Sequence, residues 1–203
     1  MRPIEKMTAQ GSNKFKGNRV VESHSEIIKG TPAKIFPLLC PIQEYKWIDN
    51  WDCEIIFSNS EGVENNCIFK EHKSGPILFD SDIPTYWTVS YYDPTNFRIQ
   101  FVLISEHIAI TKIDVEIKDI GAGKSSASWA IIITAIGEEA NNHINKSTQN
   151  KAKMYLTVLG KALKHYCESG EKLSLNKANL IKMGFSVGVL DLIKNHIKGL
   201  SLK

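Results

Sequence analysis

The 203-residue sequence has no run of eighteen apolar residues, so no membrane-spanning helix is expected. Its first residues, Met1, Arg2, Pro3, Ile4 and Glu5, are polar and mixed in charge and lack the apolar core of a signal peptide, which predicts a cytoplasmic protein. Cys40, Cys53, Cys67 and Cys167 form no CxxC pair and have no histidine at ligand spacing. That argues for buried thiols rather than a zinc site or a disulfide framework. A glycine-rich phosphate loop, an HxxxH pair and a Ser/His/Asp set are also missing, so neither metal nor cofactor is expected. Charge of one sign is scarce as well. The net charge is +3, and the segment from Glu171 onward carries six lysines against Glu171 and Asp191, so the preceding residues sum to nearly zero. Without a basic face, nucleic acid is not an expected partner.

What the chain does have is 42% apolar residues and one long helical pattern. Ile144, Thr148, Ala152, Tyr155, Leu156, Leu159, Leu163 and Tyr166 recur at spacings of three and four, with Lys146, Gln149, Lys153, Lys161 and Lys164 opposite. The pattern predicts one uninterrupted helix from Asn141 to Glu168, ~42 Å long at 1.5 Å per residue. Such a helix needs a broad partner surface.

That surface is predicted upstream. Val20 to Ile28 suits a strand; Gly30, Thr31 and Pro32 end it and start a short helix carrying Ile35, Phe36, Leu38 and Leu39, stopped by Pro41. Cys40 to Trp51 reads as a second short helix and a turn. Period-two alternation then persists for about eighty residues. Asp52 to Asn59 and Asn66 to His72 read as a hairpin, and Trp87, Val89 and Tyr91 share one strand face. Phe97, Ile99, Phe101 and Leu103 follow, then Thr111, Ile113, Val115 and Ile117, then Trp129, Ile131 and Ile133. The order is one strand, two short helices, about six antiparallel strands and one long helix. A sheet with one apolar face needs a cover, and only the long helix is large enough to supply it. A twisted sheet closing on a straight cylinder leaves a gap at the mouth, beside the short helices, as the natural ligand site.

This order resembles the helix-grip fold of the START-like superfamily (SRPBCC), which includes polyketide cyclases, aromatases, plant allergens and lipid-transfer domains. Ile28 to Phe36 is similar to its first strand-to-helix junction. Cys40, Pro41, Glu44, Trp47 and Trp51 look like a segment of polyketide-cyclase-like members, and Trp129, Thr134 and Ala135 resemble the final strand. The resemblance covers roughly Asn18 to Glu168. It implies an α+β domain with a curved antiparallel sheet of six to seven strands wrapped around a C-terminal helix. Residues 1–17 are expected to form a flexible arm, 18–170 the ligand-binding domain and 171–203 a basic amphipathic extension.

The candidate site residues follow from that placement. Trp47, Trp51, Trp87, Tyr91, Phe97, Phe101, Trp129, Tyr155 and Leu159 have inward-looking positions and would line any hollow; taken singly, each is a core residue. Glu44, beside two tryptophans, would have a raised pKa and exchange protons; the plainer reading is a surface glutamate or a loop cap. Arg98 falls on the solvent face of its strand, and His143 in the first turn of the long helix. The expected function is burial of a small hydrophobic, aromatic or lipid-like molecule between sheet and helix. A cyclase, aromatase or hydrolase working by acid–base chemistry is the alternative, and an interaction module using the lysine-rich tail a third. In that tail Val189, Leu190, Leu192, Ile193, Ile197 and Leu200 form an apolar stripe. It would pack on the domain, pair in a homodimer or touch an anionic membrane, with packing favoured. Gly160, inside the long helix, marks either mere tolerance or a close approach.

Overall fold

A computed structural model describes residues 15–49, 51–60, 62–72, 85–105, 107–182 and 184. The tail stripe from Val189 to Leu200 lies outside them. Seven strands form one antiparallel sheet: β1 (Arg19–Lys29), β2 (Cys53–Phe57), β3 (Ile68–Glu71), β4 (Thr85–Asp93), β5 (Arg98–Ser105), β6 (Ala109–Gly121) and β7 (Lys124–Ala135). Six of them run as a meander, and β1 closes on β7, giving the spatial order β1-β7-β6-β5-β4-β3-β2. Between β1 and β2 lie α1 (Pro32–Ile35), a 3-10 turn (Phe36–Leu39) and α2 (Pro41–Glu44). After β7 come α3 (Glu138–Asn141), α4 (Lys146–Ser169) and α5 (Lys177–Lys182).

Alternation explains the inner face. Thr111, Ile113, Val115 and Ile117 of β6 and Ala127, Trp129, Ile131, Ile133 and Ala135 of β7 are all buried, while their neighbours in sequence are more exposed. The helix α4 covers this face with Thr148, Ala152, Leu156, Leu163 and other buried residues of its apolar stripe. Its closest approach is to β1. A Cβ added at Gly160 would lie 2.8 Å from His24 Cδ2 and 2.9 Å from Glu26 Cγ, so the absence of a side chain there is a packing requirement. The charges flanking this point are paired: Glu26 Oε1 lies 3.1 Å from His24 Nε2 and 3.2 Å from Lys161 Nζ.

The expected single helix from Asn141 is in fact two pieces. α3 stops at Asn141, and α4 starts at Lys146, 24 residues and ~36 Å long. Asn145 caps it: its side chain accepts from Ser147 N at 2.9 Å, and Thr148 Oγ1 accepts from Asn145 N at 3.4 Å, a reciprocal capping box. His143 therefore sits, exposed, in the link between α3 and α4 rather than in a helical first turn. The far end stops at Gly170 in the left-handed conformation, φ +76°, donating to Tyr166 O. Asn141 ties the break to the start of β1, accepting from Asn18 N at 2.6 Å and donating to Lys16 O at 3.2 Å.

Two aromatic placements also depart from the alternation. The pairing of β4 with β5 shifts register between Val89 and Tyr91, a bulge that adds one residue and reverses the faces beyond it. Tyr91 is thereby turned outward, 46% exposed, with its hydroxyl donating to Asp93 Oδ2. Tyr92 takes the inward place and stacks on Phe36 at 5.5 Å. Phe97 is not part of a strand. It closes the turn after β4 with φ +55°, in which Asp93 Oδ1 accepts from Thr95 N and Asn96 N. Its ring meets Phe36 edge-on at 5.8 Å. Arg98 faces solvent as its parity predicts and is paired with Glu116.

Candidate functional site

The short helices and the turn after them are fixed over one end of the inner face by indole hydrogen bonds. Trp47 Nε1 donates to Leu38 O and Trp51 Nε1 to Pro41 O, both at 2.8 Å, so each tryptophan ties the segment back on itself while its ring points inward. Tyr45 adds a further tie, donating to Cys53 O and accepting from Cys53 N, which joins the turn to β2. The prolines at the first helical positions of α1 and α2 make these one-turn helices possible, since a missing N–H costs nothing there.

Between this segment, the sheet and α4 lies a cavity. Its walls are Leu39, Glu44, Trp47, Ile48 and Trp51 from the helical segment, Phe69, Trp87, Phe101, Ile113, Val115 and Trp129 from successive strands β3 to β7, and Tyr155 and Leu159 from α4. Of the residues expected to line a hollow, Trp47, Trp51, Trp87, Phe101, Trp129, Tyr155 and Leu159 do so together, with Glu44. Tyr91 and Phe97 do not, because the bulge and the turn carry them elsewhere. Phe69, Ile48, Leu39, Ile113 and Val115 were missed. Phe69 was legible, since it alternates with the outward Ile68 and Lys70.

The aromatic rings fill most of the space. Phe69 stacks on Trp87 at 5.4 Å, and Trp51 and Phe101 both meet that pair edge-on, at 5.9 to 6.3 Å. What remains has room for the centres of water-sized spheres over about 30 Å³. That is space for about two waters, far less than an aromatic guest occupies.

Two polar groups break the apolar wall. Glu44, at the end of α2, is half-buried as a residue, and burial, followed by the charge of Glu71, pushes its carboxyl well above the usual carboxylate range. Tyr155 is half-buried on α4, and burial and the negative charges of Glu71 and Glu44 push its hydroxyl well up. Among the described residues neither group has a hydrogen-bond partner. The buried Glu71 lies just behind the wall, where it accepts from Trp87 Nε1 at 3.0 Å. Glu71 is thus near enough to Glu44 and Tyr155 for its charge to disfavour the ionisation of both. Among the described residues, the wall contains no lysine, arginine or histidine.

No protein-family model matches the sequence, and no curated protein does. Solved structures do share the architecture. A norcoclaurine synthase from Thalictrum flavum, in complex with dopamine and hydroxybenzaldehyde, superposes with a TM-score of 0.56 at 8% identity, covering 85% of this chain and 99% of its own. Ara h 8.0201 gives 0.56 at 12% identity, over 75% of this chain and 99% of that one. A START superfamily protein from Mycobacterium smegmatis gives 0.55 at 14%, over 73% and 97%. With a seven-stranded antiparallel sheet closed on a C-terminal helix and short helices after the first strand, this chain has the START-like helix-grip fold.

Proposed function

We propose that the protein binds a small hydrophobic molecule, aromatic or lipid-like, in the cavity between sheet and α4, for sequestration or transport. The observation that carries this reading is the cavity itself. Four tryptophans, two phenylalanines and a tyrosine converge on one residual space that they do not close, and two partnerless polar groups face it. A wall of this kind gains little by staying empty, since apolar surface left without neighbours forfeits dispersion contacts and excludes the water that would replace them. In the structure the space is smaller than such a guest. Entry therefore requires part of the wall to turn aside, and the half-buried members Trp51, Tyr155, Ile48 and Leu159 are those with room to do so.

Native mass spectrometry of the purified full chain tests the proposal. The expected result is a ligand-sized mass increment, or saturable quenching of tryptophan fluorescence by members of a hydrophobic panel. Repeated preparations with no increment and no panel binding would end it.

A further inference from the structure

The cavity wall holds unmatched hydrogen-bond donors. The indole N–H groups of Trp47, Trp51 and Trp87 are taken up by Leu38 O, Pro41 O and Glu71 Oε2. Trp129, also in the wall, has no acceptor for its N–H among the described residues. There the only side-chain polar atom both sealed and without a partner is Thr111 Oγ1, so the Trp129 N–H opens on water-sized space. An indole nitrogen only donates. The Tyr155 hydroxyl and the Glu44 carboxyl are likewise partnerless among the described residues, and burial keeps the proton on both. We propose, resting on the hydrophobic-guest reading above, that the preferred guest is a neutral hydrogen-bond acceptor: an aromatic or apolar body bearing a carbonyl oxygen, to which the Tyr155 hydroxyl and the Glu44 carboxyl donate while the body lies against the tryptophan rings.

Donor character decides the class of guest. A donor left without an acceptor in a poorly solvated space carries its full desolvation cost. Water accepts from such groups until a guest displaces it, and the guest must then supply the lone pairs. A carbonyl oxygen has two, enough for Tyr155 and Glu44 together, and a second oxygen on the guest would take the Trp129 N–H. A hydrocarbon displaces the water and returns nothing. An ammonium adds donors where donors are already in excess, and finds a charged partner in the wall only if Glu44 first gives up the proton that burial holds on it. A carboxylate does accept, but among the described residues the wall has no lysine, arginine or histidine to pair with it. An unpaired charge of either sign is costly to bury, and a neutral oxygen avoids that cost. Binding of this kind makes and breaks no covalent bond and transfers no proton.

The test uses four probes built on one ring: acetophenone, ethylbenzene, 1-phenylethylamine and benzoate, titrated into the full chain near neutral pH by isothermal calorimetry. Acetophenone is expected to bind at least about threefold more tightly than ethylbenzene, the ratio expected of one neutral hydrogen bond net of its exchange with water, and to lead both ions by at least as much. In Tyr155→Phe acetophenone should weaken by about threefold or more while ethylbenzene is unchanged. Glu44→Leu should act in the same way, whereas Glu44→Gln, whose amide still donates, should keep the lead. With carbonyl-labelled acetophenone, the carbon resonance of the bound carbonyl should move upfield in Tyr155→Phe as the donor is lost. Any of the other three probes binding as tightly as acetophenone overturns the inference, as does a lead that survives undiminished in both Tyr155→Phe and Glu44→Leu. If a hydrophobic dye is taken up and acetophenone is not bound, the carbonyl inference alone falls. If neither the dye nor any of the four probes binds, the hydrophobic-guest reading falls with it.

Discussion

Gly160→Ala measures how tightly α4 is held to the sheet. In an exposed helix the change would stabilise by up to about 1 kcal/mol, because alanine is the better helix former. Here the added Cβ lies 2.8 Å from His24 Cδ2, 2.9 Å from His24 Nε2 and 2.9 Å from Glu26 Cγ, where ordinary contact begins near 3.4 Å. Three atoms must therefore yield by about half an ångström each. All three belong to the His24–Glu26–Lys161 cluster, whose carboxylate is only 13% exposed. Overpacking of this kind costs about 1–3 kcal/mol, which offsets the propensity gain and leaves a net loss of up to about 2 kcal/mol. Urea unfolding of the wild type, Gly160→Ala, His24→Ala and the double variant forms a cycle that isolates the contact. With the imidazole removed, the alanine should recover part of its helix preference, giving a coupling of about 1 kcal/mol. An increase of about 1 kcal/mol for Gly160→Ala in the wild-type background, with no coupling to His24, would show that β1 and α4 are not in close contact there. The wall residue Leu159 is next to this point in the helix, so the distance set at Gly160 also sets the depth of the cavity.

Glu44→Gln should alter the pH dependence of stability. The folded carboxyl titrates above the unfolded value of 4.5, through burial first and the charge of Glu71 second, with Tyr155 and Cys53 also close by. As pH rises past the unfolded value, the unfolded chain releases a proton that the folded chain retains, so this group's contribution to stability falls until the folded pKa is passed. Unfolding curves for the two proteins should therefore agree near pH 4 and separate in favour of the glutamine variant toward neutrality; curves that stay parallel refute the assignment. The outward turn of Tyr91 is checked by comparing truncations. Trp87→Ala should destabilise by about 3–5 kcal/mol, and Tyr91→Ala by less than about 1 kcal/mol, in denaturant titrations. Equal losses would mean that the bulge in β4 is misplaced.

How much of the fold was legible depends on whether local rules or neighbours decided the outcome. The inner faces of β6 and β7 follow from alternation alone, because both strands pair without interruption over the part that meets the helix. The amphipathic stripe of α4 is likewise a property of spacing. Its first turn was misread because a continuous apolar pattern conceals a cap: Asn145 and Thr148 start the helix by hydrogen bonding to each other's backbone, while Ile144 is buried just before it. Phe97 was misplaced because it closes the turn after β4, and Tyr91 because of the bulge. A one-residue bulge inverts parity, and only the partner strand β5 shows where the extra residue lies. Gly160 left two readings open until His24 and Glu26, more than a hundred residues away, were found against it.

The residues by themselves determined the class of fold, the apolar faces and most of the cavity wall, since these depend on periodicities of two and 3.6 that the local backbone imposes. Tertiary structure decided what those faces enclose. The size of the space depends on how side chains from five strands and two helical segments interdigitate, and the polar character of its end depends on Glu44, Glu71 and Tyr155 meeting from three separate elements. Packing volume and electrostatic field are sums over neighbours in space, and those neighbours are far apart in the chain.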